Sequence, residues 1–122
     1  LPAYVSNIKE LKQCLLATGF SYDRRINPET NYEQFCHLTH ICQGVRRCGA
    51  ASLDLAYVSA GRLDGYWERG LQPWDVAAGV LLVKEAGGVL SSYDMQALDL
   101  FSGRIVATNG LIHNDLCQAL RA

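Results

Sequence analysis

A chain of 122 residues, 49% hydrophobic and 19% charged, is long enough to bury one core and too short for two. Its formal net charge of −1 excludes a general pull toward nucleic acid or an anionic membrane, while leaving room for a local basic patch. Apolar runs such as Val80 to Val83 are far too short to span a bilayer, and the opening residues do not read as a signal peptide, so neither nucleic acid nor membrane is expected as a partner.

Five cysteines, Cys14, Cys36, Cys42, Cys48 and Cys117, are odd in number and show no paired framework. Reduced thiols in a cytoplasmic compartment are expected. The chain opens on Leu1 rather than Met, which is expected of a processed, trimmed or excised piece.

In chain order, Val5, Ile8, Leu11 and Lys12 fall at helical spacing, and 13–20 reads as a short buried strand ended by Gly19 and a polar stretch. Asn27-Pro28-Glu29 carries the marks of a helix start, and Phe35, Leu38, Ile41 and Cys42 extend that helix to about Gly44. Val45 to Cys48 is a short extended piece. The next helix, Gly49 to Gly61, is apolar nearly all round and so is expected to be buried. Leu63 to Glu68 reads as a strand. Gln72-Pro73 opens a third helix that Gly87-Gly88 closes. Val89 to Tyr93 and Arg104 to Thr108 read as strands across a polar loop, and Leu111 to Ala122 as a terminal amphipathic helix. Strands alternating with helices predict an α/β layered domain with a mixed, largely parallel sheet flanked by helices.

Few residues stand out as chemistry. Gly49-Ala50-Ala51-Ser52 sits at a helix start, where free N–H groups and small side chains can cradle an anion. Equally, Gly and Ala there can serve only close helix packing. Asp75, beside Trp74, leads an apolar helix and suits a hard cation that wants fixed oxygen donors, or it simply offsets the helix dipole. Glu68 ends a strand, where a carboxylate can accept hydrogen bonds from substrate hydroxyls or stand in solvent. Cys36, His37, His40, Cys42 and Cys48 lack the spacing of a zinc site. Leu63-Asp64-Gly65 looks like a fragment of a metal motif, yet it reads better as a turn into a strand.

Together, Val45-Arg46-Arg47-Cys48-Gly49-Ala50-Ala51-Ser52, running on to Gly61-Arg62-Leu63-Asp64-Gly65-Tyr66-Trp67-Glu68, resemble the inositol monophosphatase family. Pro73-Trp74-Asp75-Val76-Ala77-Ala78-Gly79, followed by Glu85-Ala86-Gly87-Gly88, resembles that family's C-terminal signature. The resemblance implies Mg²⁺-dependent hydrolysis of a phosphate monoester. It implies Asp75 as the metal ligand that also helps hold the attacking water. It sets Gly49, Ala50 and Ala51 against the substrate, gives Glu68 the ring hydroxyls, and makes Trp74 the packing that fixes Asp75. It also implies that the chain is the C-terminal half of the fold, 1–122, because the family's Asp-Pro-x-Asp-Gly-Thr motif and its upstream Glu are missing.

The expected partners are therefore a small phosphorylated substrate and a missing N-terminal half, within a full-length homodimer. An exposed apolar face, built to meet that half, is expected too. Inositol monophosphate is the first substrate expected; histidinol phosphate and sugar or nucleotide phosphates fit the same signature. A non-catalytic interaction module is the competing expectation for a chain with one metal carboxylate.

Overall fold

The structure, a computed structural model, describes residues 3–20 and 30–121. The helix start read at Asn27-Pro28-Glu29 lies outside the described residues. Among them, five strands form one sheet: β1 (Leu15–Thr18), β2 (Gly44–Arg46), β3 (Gly65–Glu68), β4 (Val89–Ser91) and β5 (Ile105–Thr108). Their order is β2-β1-β3-β5-β4. β1 pairs in parallel with β2 and β3, whereas β5 runs antiparallel to both β3 and β4. Four strands therefore point one way and β5 alone opposes them, which is the mixed, largely parallel sheet expected.

Among the described residues four helices flank the sheet: α1 (Tyr32–Ile41), α2 (Ala51–Ser59), α3 (Pro73–Glu85) and α4 (His113–Arg121). Side chains alternate across a strand, and β3 and β5 use that period to bury both faces. Tyr66, Ile105 and Ala107 join Leu55, Val58, Val80 and Val83 under α2 and α3. Trp67 and Val106 join Leu16, Leu38, Leu116 and Leu120 under α1 and α4. Strands covered on both sides read as continuous apolar runs, which is why Ile105-Val106-Ala107 was legible as one.

The α2–α3 pair is packed closely enough to dictate a residue. A Cβ placed on Gly79 would stand 2.6 Å from Leu55 Cβ, so α3 carries no side chain there. The other face of α3 is apolar and uncovered. Trp74 is 78% exposed, Leu81 57% and Leu82 46%, and Ala77 and Ala78 between them are exposed as well.

The segment at 5–12 departs from the sequence reading. Only Leu11–Gln13 coils, as one 3-10 turn. Before it the backbone bonds elsewhere: the Val5 N–H donates to the Ala86 carbonyl at 3.2 Å. Four residues at helical spacing do not meet the cost of nucleating a helix when the backbone has a tertiary partner. A second 3-10 turn, Leu100–Ser102, lies in what read as a featureless polar loop; the Asp99 carboxylate caps it by accepting the Phe101 N–H at 2.9 Å.

Candidate active site

Parallel strands leave their carboxyl ends and the following helix starts at one edge of the sheet, and open α/β sheets bind ligands there. Here that edge holds a pocket of about 730 Å³. Thr18 ends β1 and Glu68 ends β3, and the first turns of α2 and α3 complete the wall. All five residues singled out from the sequence, Gly49, Ala50, Ala51, Glu68 and Asp75, line it.

The α2 end is built for close approach. Gly49 takes φ +90°, a left-handed conformation that favours glycine, and a Cβ there would meet nothing within 4 Å. Backbone shape, rather than crowding, selects the residue. Ala50 is the N-cap and supplies no side-chain acceptor to the first-turn N–H groups. Those groups keep their hydrogen-bonding capacity and the positive end of the helix dipole for an anion.

Glu68 is half-buried, and its Oε1 accepts the Tyr66 hydroxyl at 2.5 Å. A Cβ on Gly19 would come within 2.7 Å of Glu68 Cδ, so the glycine makes room for this carboxyl group. Burial pushes the Glu68 pKa up, with Asp54 and Asp75 adding to the rise, while the Tyr66 hydroxyl and Arg47 oppose it.

Asp75 occupies the third position of α3 and is exposed at the pocket. Its Oδ2 accepts the Gln72 N–H at 3.1 Å, one arm of a capping box. The expectation that Trp74 packs and so fixes Asp75 is corrected here. Trp74 is exposed and lines the pocket, and the capping bond to Gln72 orients the carboxylate instead.

Behind the pocket a buried polar network ties three elements together. Asn31, just before α1, donates through Nδ2 to Thr18 Oγ1 and to the Gly19 carbonyl, both at 2.9 Å. Thr18 donates to the Trp67 carbonyl at 2.6 Å, and Trp67 Nε1 donates back to Asn31 Oδ1 at 2.7 Å. A satisfied buried network of this kind rigidifies the strand ends that carry Gly19 and Glu68.

Two charged pocket residues escaped the sequence reading. The Arg47 guanidinium lies 4.7 Å from the Phe20 ring centroid, a cation–π contact at the pocket wall. Asp54 is 1% exposed, and burial raises its pKa. A signal for it existed: Asp54 is the one charged residue in α2, a helix that read as buried all round.

Asp64, by contrast, is a structural clamp. Its Oδ2 accepts the Leu15 N–H at 2.7 Å and its Oδ1 the Ser6 hydroxyl at 2.5 Å. Cys36, His37 and His40 are exposed on α1, and among the described residues no three His, Cys, Asp or Glu side chains gather to hold a metal.

A layered α/β fold whose strand-end pocket joins the start of α2 to the carboxylates of Glu68 and Asp75 defines a class of α/β proteins with a polar, ligand-sized pocket at the sheet edge. Within that class the chain belongs to the inositol monophosphatase family, whose sequence model matches residues 1–122. It is 58% identical over 121 residues to the inositol-1-monophosphatase of Synechocystis sp., covering 99% of this chain and 42% of the relative. It is 51% identical over 107 residues to Nus factor SuhB of Pseudomonas aeruginosa, covering 86% of this chain and 40% of the relative. The solved inositol monophosphatase of Anabaena (Nostoc) sp. superposes with a TM-score of 0.97 at 59% identity, covering 98% of this chain and 48% of the other. The chain spans under half the length of each of these relatives.

Proposed function

We propose that this chain supplies the substrate-side wall and one metal carboxylate of a Mg²⁺-dependent phosphomonoesterase that hydrolyses inositol monophosphate to inositol and phosphate. The observation that supports this reading is the convergence of Gly49, Ala50, Ala51, Glu68 and Asp75 on one pocket. The first turn of α2 takes phosphate oxygens on its N–H groups. Glu68, acceptor-only when ionised, receives ring hydroxyls. Asp75, held by Gln72, offers a hard oxygen ligand and orients a water toward phosphorus.

The donor chemistry fits Mg²⁺, which binds through one or two carboxylates together with substrate phosphate and water. When bound, the ion supplies Lewis acidity and a more acidic water. The described residues do not complete its shell alone. The chain is accordingly read as the C-terminal half of the enzyme, with the remaining ligands on an N-terminal half. On the same resemblance the full-length protein is a homodimer, and the free cysteines fit a reducing, cytoplasmic compartment. Among the described residues no helix is long and apolar enough to cross a membrane.

The test is phosphate release from inositol monophosphate in Mg²⁺. The isolated chain is expected to be inactive, and the chain joined to a complementing N-terminal half active. Turnover by the isolated chain, or none by the joined protein once it is folded, overturns the reading.

A further inference from the structure

The pocket contains a carboxyl group that no step above uses. Asp54 is 1% exposed and lines the pocket, yet its Oδ1 has no hydrogen-bond partner among the described residues. The nearby donor is the Cys48 thiol, a weak one. Buried acceptors in folded proteins are almost always satisfied, so an orphan at a binding pocket marks a partner that arrives from outside.

The company it keeps in the pocket narrows that partner. Asp54 on α2 and Glu68 at the end of β3 line the same pocket, and a charge on Asp54 opposes ionisation of Glu68 and Tyr66. Asp54 and Glu68 thus form a two-carboxyl wall, with Tyr66 donating to Glu68 Oε1 at 2.5 Å. Two carboxyl groups lining one pocket repel an anion and match hydroxyl donors. The first-turn N–H groups of α2 and the guanidinium of Arg47 are the parts of the pocket that suit phosphate.

Resting on the phosphatase reading, we propose that Asp54 is a specificity-determining residue, a second hydroxyl acceptor beside Glu68, which selects phosphate esters of polyols with two neighbouring free hydroxyls. The terminal torsion of an Asp side chain is broad, so a modest turn about χ2 presents Oδ1 to the opening when a hydroxyl enters. A helix-start acid with no ligand role predicts something different: its loss lowers stability and touches all substrates alike.

The test uses the full-length protein carrying this chain, with inositol monophosphate and phenyl phosphate, which has no free hydroxyl. Asp54→Leu removes the acceptor and keeps the branched outline of the side chain. The KM for inositol monophosphate is expected to rise about 10-fold or more, the scale of a lost hydrogen bond to a charged group, with phenyl phosphate kinetics unchanged. The melting temperature should hold or rise, because an orphaned buried acceptor is gone. Asp54→Asn keeps one carbonyl oxygen and should fall between; it also carries the test if the leucine variant does not fold.

Equal effects on both esters, or no effect on either, overturn the proposal while the phosphatase reading stands. If the wild type hydrolyses neither ester, that reading fails, and calorimetry with free inositol then decides the role of Asp54. Binding weakened by Asp54→Leu upholds the role, and binding unchanged or absent overturns it.

Discussion

Asp75 is where the chemistry proposed for this pocket is most exposed to test. Its Oδ2 holds the Gln72 N–H, so the side chain has a structural duty as well as a proposed ligand duty. Asn keeps the size and an oxygen that accepts the same N–H, so Asp75→Asn should fold with little loss. It removes the charge that holds a hard cation and orients water. In the joined enzyme the rate should drop by roughly 10²–10³, as when one preorganised electrostatic contact is lost. Near-full activity at limiting Mg²⁺, with a lowered melting temperature, would reduce Asp75 to a capping acid. Residue by residue, the pocket was legible where backbone rules speak. Glycine and alanine at a helix start and an acid in a first turn are local signals. Arg47 was hidden because its role depends on Phe20, which meets it only across the sheet edge.

Among the elements, α4 carries a pH dependence of its own. Its first residue, His113, is buried between β4 and β5: Nε2 lies 2.7 Å from Ser91 Oγ and Nδ1 2.9 Å from Thr108 Oγ1. The Ser91 proton goes to the Ser92 carbonyl at 2.7 Å, so Ser91 accepts from Nε2–H, and Thr108 donates to Nδ1. The neutral ring is therefore fully bonded, and burial holds its pKa below the ordinary 6.5. The unfolded chain takes up the proton first as pH falls. The stability contributed by neutral His113 is whole above about pH 6.5 and is lost as pH falls through that value toward the lower folded pKa. Glu68 and Asp54 act with the opposite sign. Burial raises their pKa values on folding from 4.5 and 3.8, so their contribution is whole below those values and is lost as pH rises through the raised folded pKa. Urea midpoints measured from pH 5 to 8 should fall on the acid side, and His113→Gln should flatten the curve from about pH 5 to 6.5 at lower overall stability. A variant that keeps the wild-type slope would remove His113 as its source.

For the molecule as a whole, the open question is what meets the outer face of α3. Trp74, Ala77, Ala78, Leu81 and Leu82 recur at helical spacing and are all exposed. Contiguous exposed apolar surface of more than a few hundred Å² marks an interaction site. The isolated chain is expected to self-associate or to bind a hydrophobic dye, and joining the N-terminal half should suppress both. A monomeric chain with no dye response would count against a missing half that covers this face. The relatives, more than twice the length of this chain, have the material to cover it.

From β1 onward, periodicity and punctuation alone determined the succession of strands and helices, because those signals are local: Pro73 at a first turn, Asn109-Gly110 after a strand, and apolar residues at steps of two or of three and four. They raised the start of α2 and the first-turn acid of α3 as candidates, and the resemblance to a family turned those candidates into expectations. Only the tertiary structure decided what depends on residues far apart in the chain. The segment at 5–12 bonds to Ala86 instead of coiling, Trp74 lies open while Gln72 orients Asp75, and Asp54 joins Glu68 in one pocket. A local pattern states which conformations a segment can take at little cost. The pairing of β1 with β3 and of α2 with α3 states which side chains then share a wall, and the charge, burial and hydrogen bonding of the pocket follow from that pairing.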